Sequence, residues 1–548
     1  MALHQEYDFV IVGAGSAGCV LAHRLSADPE IRVLLLEAGP RDAHPLIHIP
    51  VGNSRIIPKP RFNWQYETEP QPHLDGRRIL WPRGKMLGGS SSINGMVYIR
   101  GHARDYDLWR QQGLAGWSFA DVLPYFKRAE GNVRGADAFH GADGPLTVSN
   151  AAHDHVLFDA FVAAGTEAGY PANPDFNGPE QEGFGRYQFN IRNGRRWSAA
   201  AAYLKPVLGR RNLTVVTGAL TERVLFEGEQ AIGVRYRRDG RTHDVRAARE
   251  VILSGGAVNS PQLLMLSGIG PADELKEVGI APRLDRPEVG RNLQDHLCVH
   301  TVHASKTTTL TDRLVRTEHG AVSIARAFLT RSGPAAGFPL EGGAFIRTSD
   351  SLEMPDVQFH FSAGNLLSLI RRPFAGHSQD HTRPDAFMCH ACQLRPESRG
   401  AIRLRSADPA DAPAIGPDYL STDGDRRTLR EGFKAMRDVM HQPSLARLSD
   451  GEIWPDDAPR TDAEIDAFIR ATGGTVYHPV GTCRMGADDG AVVDGNLRVK
   501  GVAGLRVVDA SVMPTLVGGN THAPTVMIAE KASDMILDRA APEPELYA

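Results

Sequence analysis

The stretch Asp8-Phe9-Val10-Ile11-Val12-Gly13-Ala14-Gly15-Ser16-Ala17-Gly18 decides how this chain begins to fold. Asp8 to Val12 is a short apolar run of the buried-strand type. A glycine-rich turn follows at once, and Cys19 to Leu25 has helical character. A second apolar run, Arg32-Val33-Leu34-Leu35-Leu36, ends at Glu37. Strand, GxGxxG turn, helix, strand and acid make the βαβ pattern of a dinucleotide site. Gly13 permits the tight turn, Gly15 lets backbone N–H groups approach a pyrophosphate, and Gly18 lets the helix pack close to the strand. The helix N-terminus favours phosphate charge. Glu37 can accept hydrogen bonds from a ribose diol, which disfavours a 2′-phosphate. The motif leaves open whether the dinucleotide is NAD or FAD.

The rest of the composition is that of an ordinary globular protein. The chain has 548 residues, 42% hydrophobic and 23% charged, with a formal net charge of -4. That length suffices for a large core. No basic stripe invites nucleic acid. The five cysteines (Cys19, Cys298, Cys389, Cys392, Cys483) are too sparse and odd in number for a disulfide scaffold, and fit a reducing compartment. Cys389 and Cys392 form a lone CxxC without a second pair, so two buried thiols on a strand are expected there rather than zinc. No secretory leader and no run of eighteen apolar residues is visible, so the expected location is cytoplasmic, and the sequon at Asn212 is expected to be idle.

Two further segments narrow the cofactor. Trp81 to Met96 contains Gly84-Lys85-Met86-Leu87-Gly88-Gly89-Ser90-Ser91-Ser92-Ile93-Asn94, a loop able to lay its backbone against a planar ring. Gly256 to Gly270 (GAVNSPQLLMLSGIG) carries a Ser-Pro helix start and a Gly-rich stop, after the strand-like run Glu250 to Ser254. These segments resemble the two signature stretches of the glucose–methanol–choline (GMC) oxidoreductases. Glu288 to His296 (EVGRNLQDH), Tyr477 to Thr482 (YHPVGT), and Val507 to Ser511 with Pro514 extend the resemblance over essentially the whole chain. It is nearest to bacterial FAD-dependent aliphatic alcohol dehydrogenases and choline dehydrogenases.

The resemblance implies an α/β (α+β overall) chain: a Rossmann-like FAD-binding domain and a substrate domain with a mainly antiparallel sheet backed by helices. The FAD domain is expected over 1–155, 196–300 and 476–548, and the substrate domain over 156–195 and 301–475. The implied FAD contacts are Gly13, Gly15, Ser16, Gly18, Glu37, Ala38, Arg83, Gly88, Gly89, Ser90, Asn94, Gly95, Met96, Val97, Val224, Asp509, Ala510, Asn520, His522 and Ala523. Relatives with covalent flavin carry His where this chain has Ile93, so non-covalent FAD is expected.

Alcohol oxidation needs an acceptor for the O–H proton, and a neutral imidazole suits that task. His478 precedes Pro479, which restricts it to an extended conformation. Family members place His or Asn as its partner. A gap-free count back from Ile528 to Asp534 puts that partner at Asn520, with His522 as the alternative and otherwise near the loop backbone or flavin. Glu341, Tyr477 and His360 are the expected substrate-pocket residues. In choline-oxidising relatives an acid at the position of Glu341 faces the quaternary ammonium, and aliphatic-alcohol members also keep one. Gly473-Gly474 stand where relatives usually have Ala-Glu, a departure expected to loosen the strand before His478 or reshape the pocket wall. Asn365 to Phe374 is apolar and then dibasic, readable as a core helix end or as a lid or interfacial patch meeting membrane lipid or quinone.

The implied reaction is oxidation of a primary, mainly apolar alcohol to an aldehyde, with a quinone or other non-nicotinamide compound taking the electrons. An oxidase using O2, a choline dehydrogenase and a lyase on the same scaffold are the alternatives. Oligomeric state is not legible.

Overall fold

Glu6–Val12 pairs in parallel with Val33–Glu37 on one side (Phe9 opposite Val33) and with the end of Arg241–Leu253 on the other (Val10 opposite Val251). A computed structural model describes residues 6–315, 317–370 and 385–546. Phe9, Val10 and Ile11 have no exposed surface. Parallel strands are covered on both faces, hence an unbroken apolar run instead of alternation. Each such side chain contributes about 1.5–3 kcal/mol by burial. Among the described residues this sheet has seven strands, in the order Leu213–Thr217, Val33–Glu37, Glu6–Val12, Arg241–Leu253, Gln230–Arg238, Leu220–Glu227, with Leu505–Val507 alongside Arg241–Leu253. Arg241–Leu253 is longer than its apolar end suggests, because its first half pairs antiparallel with Gln230–Arg238.

The helix Ser16–Leu25 starts directly after the glycine turn and buries Ala17, Gly18, Cys19, Val20, Leu21, Ala22 and Leu25. A Cβ on Gly18 would lie 1.9 Å from the Gly13 carbonyl oxygen, so only glycine lets helix and turn approach this closely. The C-terminal helix His522–Ile536 packs against Ser16–Leu25, bringing the chain's two ends together.

The second sheet also has seven strands among the described residues, in the order Ser449–Trp454, Leu297–Ser305, Ala386–Gln393, Val357–Ser362, Gly342–Ile346, Gly183–Arg186, with Gly474–Thr475 beside Leu297–Ser305. Its pairings are antiparallel. Helices Val156–Glu167 and Asp423–Met440 pack against it. Cys389 and Cys392 are buried in the strand Ala386–Gln393. Gly473-Gly474 do not loosen the chain: Gly474 pairs with Cys298, Thr475 with Leu297, and the Arg77 guanidinium donates to the Gly473 carbonyl. The Asn212 amide is taken up by the carbonyls of Ser26, Asp28 and Ile31. No helix among the described residues is long and apolar enough to cross a membrane. Of the stretch Asn365 to Phe374, Leu366–Ile370 is helical and residues 371–374 lie outside the described residues.

Candidate active site

An elongated cavity of about 510 Å³ runs between the two sheets. One end is the glycine turn, where Gly13, Gly15, Ser16, Glu37 and Ala38 line the wall. Glu37 closes its strand with both carboxylate oxygens on backbone N–H groups, Ala14 at 2.9 Å and Gly39 at 2.8 Å. Burial raises its pKa to about 7, against the pull of those two donors. Arg83, Gly89, Ser90, Asn94, Gly95, Met96 and Val97 line the middle, with Asp509, Ala510 and His522 across from them. Asp509 accepts from the Gly256 and Ser511 N–H groups and the Ser260 hydroxyl.

Five expected contacts do not reach the cavity wall. Gly18 works one layer back, at the helix–turn contact. Gly88 has φ of +88° and donates its N–H to the Ala14 carbonyl, tying its loop to the glycine turn. Val224 is turned away: its N–H donates to the Ser267 hydroxyl, and Ala219, Leu220 and Thr221 hold the wall instead. The pairing with Gln230–Arg238 shifts register between Thr221 and Arg223. Ala523 is buried in its helix behind His522. Glu341 is the fifth. Its carboxylate accepts from the Ala152 and His153 N–H groups, from the His153 ring and from Arg186, and is 1% exposed. It is an internal counter-ion and not a pocket acid.

His478, Asn520, His360 and Tyr477 meet at the other end. Asn520 Nδ2 is 3.1 Å from His478 Nε2, whereas His522 Nδ1 lies 3.0 Å from the Ser16 hydroxyl. The two polar residues of the Asn520-Thr521-His522 stretch therefore point to opposite tasks, one to the imidazole and one to the dinucleotide turn. His478 is buried, and its pKa is lowered well below 6.5, first by burial and then by the neighbouring His296, His360 and Arg83. The ring is held neutral with a lone pair available.

The segment carrying His478 is tightly tied down. Its backbone N–H donates to Asp295 Oδ1 at 2.7 Å, and Asp295 Oδ2 takes the hydroxyls of Tyr419 and Thr475. Tyr477, at φ +70°, gives its carbonyl to Arg83 at 2.8 Å. A non-glycine residue in that conformation is strained, and such strain collects where a side chain must be aimed. Asp295, His296, Gln358 and Tyr187 were not among the expected site residues. The Asp295-His296 pair stood in the quoted EVGRNLQDH motif, but Gln358 and Tyr187 carry no local signal.

The cavity fits a flavin adenine dinucleotide. A Cβ on Gly13 would meet the Ser254 oxygen at 2.5 Å and one on Gly89 would meet the Gly15 Cα at 2.8 Å, so the walls close only around glycines. His522 Nε2 is buried there without a partner, available to a bound polar group. Ile93 lines the cavity and offers no nucleophile. Purified protein is expected to be yellow, and acid or heat to release its FAD. Flavin remaining on the denatured polypeptide would refute this.

A dinucleotide cradle facing a neutral imidazole across one cavity defines a flavin-dependent oxidoreductase. Family models described as GMC oxidoreductase match residues 7–298 and 396–529. The chain is 48% identical over 546 residues to the mitochondrial choline dehydrogenase of Homo sapiens, covering 98% of this chain and 90% of that one. It is 48% identical over 535 residues to an alcohol dehydrogenase [acceptor] of Pseudomonas putida, covering 97% and 96%. Among solved structures, pyridoxine 4-oxidase from Mesorbium loti superposes with a TM-score of 0.86 at 35% identity, covering 97% and 100%. A formate oxidase of Aspergillus oryzae superposes with 0.91 at 28%, covering 98% and 99%. The chain belongs to the GMC oxidoreductase family, and its cofactor is FAD.

Proposed function

We propose that this protein oxidises primary, apolar alcohols to aldehydes, with His478 as the base, Asn520 as the donor to the developing alkoxide, and a quinone-type compound as the final electron acceptor. FAD supplies the hydride acceptor. His478 Nε2 takes the hydroxyl proton, and Asn520 Nδ2 donates to the same oxygen as it gains charge. Arg83, Asp295 and Tyr477 hold the base in place.

The observation that carries the substrate class is the absence of a carboxylate at the catalytic end. Among the described residues lining the cavity, only Glu37 and Asp509 are acidic, and both belong to the dinucleotide half. Glu341 is consumed by Arg186 and His153. The remaining wall includes Phe338, Leu340, Leu366, Leu367 and Met388, and the cation beside His478 is Arg83. A quaternary ammonium would enter without a counter-charge. An alkyl chain gains about 0.8 kcal/mol per buried CH2, so kcat/KM should rise about fourfold per methylene until the pocket is full. Anaerobic mixing with ethanol through 1-decanol and with choline, followed at the oxidised-flavin absorbance, tests this. Faster reduction by choline than by any of the longer alcohols would overturn the assignment. The acceptor proposal is supported by the relative named as an acceptor-type alcohol dehydrogenase and by the apolar helix Leu366–Ile370 on the cavity wall. Stoichiometric peroxide in air, with no reduction of a quinone, would replace it by the oxidase reading.

A further inference from the structure

His478 and Asn520 are the middle of a longer chain of hydrogen bonds that ends on a backbone carbonyl at each side. On one side the Tyr187 hydroxyl donates to the Phe359 carbonyl at 2.6 Å, and Gln358 Nε2 donates to the Tyr187 oxygen at 2.9 Å and to Asn520 Oδ1 at 3.3 Å. On the other side His296 Nδ1 lies 3.0 Å from His478 Nδ1, and His296 Nε2 lies 3.1 Å from the Leu394 carbonyl. A carbonyl oxygen can only accept. Each terminus therefore dictates where the protons of the chain stand.

The two ends give the same answer. Leu394 O requires the proton of neutral His296 on Nε2, which leaves His296 Nδ1 an acceptor. His478 must then carry its own proton on Nδ1. From the other end, Tyr187 spends its only proton on Phe359 O, so Gln358 must present its NH2 to both Tyr187 and Asn520. Asn520 accepts through Oδ1 and presents Nδ2 to His478, which requires a lone pair on His478 Nε2. Gln358 lies on Val357–Ser362 and His296 directly precedes Leu297–Ser305, two strands of one sheet separated by Ala386–Gln393.

We propose that His296 and the Tyr187–Gln358 pair are positioning residues that lock His478 in the Nδ1–H tautomer, with the Nε2 lone pair aimed at the substrate hydroxyl. Either tautomer is available to a free imidazole, and only one can take the proton here. When His478 accepts that proton, its Nδ1–H still has the neutral His296 acceptor, which stabilises the imidazolium without a buried carboxylate. In the resting site a proton on Nε2 would face the Asn520 NH2, a donor against a donor. The groups facing the ring are His296, His360 and Arg83, with Asp295 on its backbone N–H. This inference rests on His478 being the base.

The first test reads the tautomer directly and needs no turnover. In FAD-loaded protein labelled with 15N-histidine, the signals lost in His478→Gln are those of His478. At pH 7.5 they are expected to show a protonated Nδ1 and an unprotonated Nε2. A proton on Nε2 overturns the proposal, even if His478→Ala has abolished flavin reduction and the base assignment stands. The second test is His296→Leu, expected to slow flavin reduction about 10- to 100-fold, the scale of a hydrogen bond to a charged partner. The alcohol concentration for half-saturation should change little. His296→Asn, whose amide oxygen can accept at the same place, should recover most of the rate. A wild-type rate in His296→Leu, or no recovery in a folded His296→Asn, overturns the role of His296. Tyr187→Phe probes the far end independently: freed to rotate, the Gln358 amide no longer holds Asn520, and some His478 should move to the Nε2–H form. An unchanged tautomer and rate there would remove the Tyr187–Gln358 pair from the proposal.

Discussion

His478→Ala is expected to lower the rate of flavin reduction by about a hundredfold or more, the usual range for losing a general base. His296 is not free to substitute. His296 holds its Nε2 proton on Leu394 O and its Nδ1 on His478, so it has no free face toward the cavity. His360, in the strand Val357–Ser362, lines the cavity with its Nδ1 3.3 Å from the Cys392 thiol and its ring bonded to Asn520 rather than to His478. The wild-type pH profile follows from the same environment. The active form of His478 is neutral, and burial with nearby positive potential lowers its pKa from 6.5. The rate should therefore be flat through neutral and mildly alkaline pH, and fall only as the pH drops below 6.5 toward the lowered value. Stopped-flow reduction by a saturating alcohol, without oxygen, measures both. A His478→Ala variant that reduces flavin at the wild-type rate would remove His478 from the mechanism. A wild-type limb above pH 7 would show that the ring is not held neutral as its surroundings require.

Asn520→Ala should slow flavin reduction about 10- to 1,000-fold, the scale of one lost donor to a transition-state oxyanion. The Asn520 amide is oriented by Gln358, so the alkoxide meets a donor that is already in place. His522→Asn should leave flavin reduction within a few-fold of wild type and instead weaken FAD retention. Its ring bonds to Ser16 on the dinucleotide turn, and burial with the charge of Arg196 lowers its pKa to about 4, so it stands neutral beside the cofactor site. The comparison must be made on flavin reduction itself, with flavin content measured for each variant, because a slow acceptor step would hide the difference. If His522→Asn abolishes reduction while Asn520→Ala does not, His522 is the partner of His478 and the distances within the site mislead.

The sequence by itself placed the strand–turn–helix unit that carries Gly13, Gly15, Gly18 and Glu37, and singled out His478 and Asn520, which the fold brings to 3.1 Å from each other. The need for glycine at 13 and 18 is legible because it is set within the motif and by the next strand: Gly13 has φ of +101° and a Cβ there would meet the Ser254 oxygen, and one on Gly18 would meet the Gly13 oxygen. Glu37 is legible as the acid that ends the second strand, where it accepts from Ala14 and Gly39 and lines the cavity. Asn520 and His478 are legible through motif spacing, since both sit in short segments whose internal geometry travels with them. Tertiary structure decided the rest. Glu341 precedes a buried strand, and nothing in its neighbourhood says that Arg186, 155 positions earlier, turns the carboxylate away from the cavity. Val224 lies beyond a register shift between Thr221 and Arg223 that involves the partner strand Gln230–Arg238 and that its own stretch does not announce. The orientation of the His478 ring depends on Tyr187, Gln358, His296 and Leu394, from four separate stretches of chain. A hydrogen bond's direction is a property of both partners, so the proton on His478 becomes readable only once folding brings all four to it.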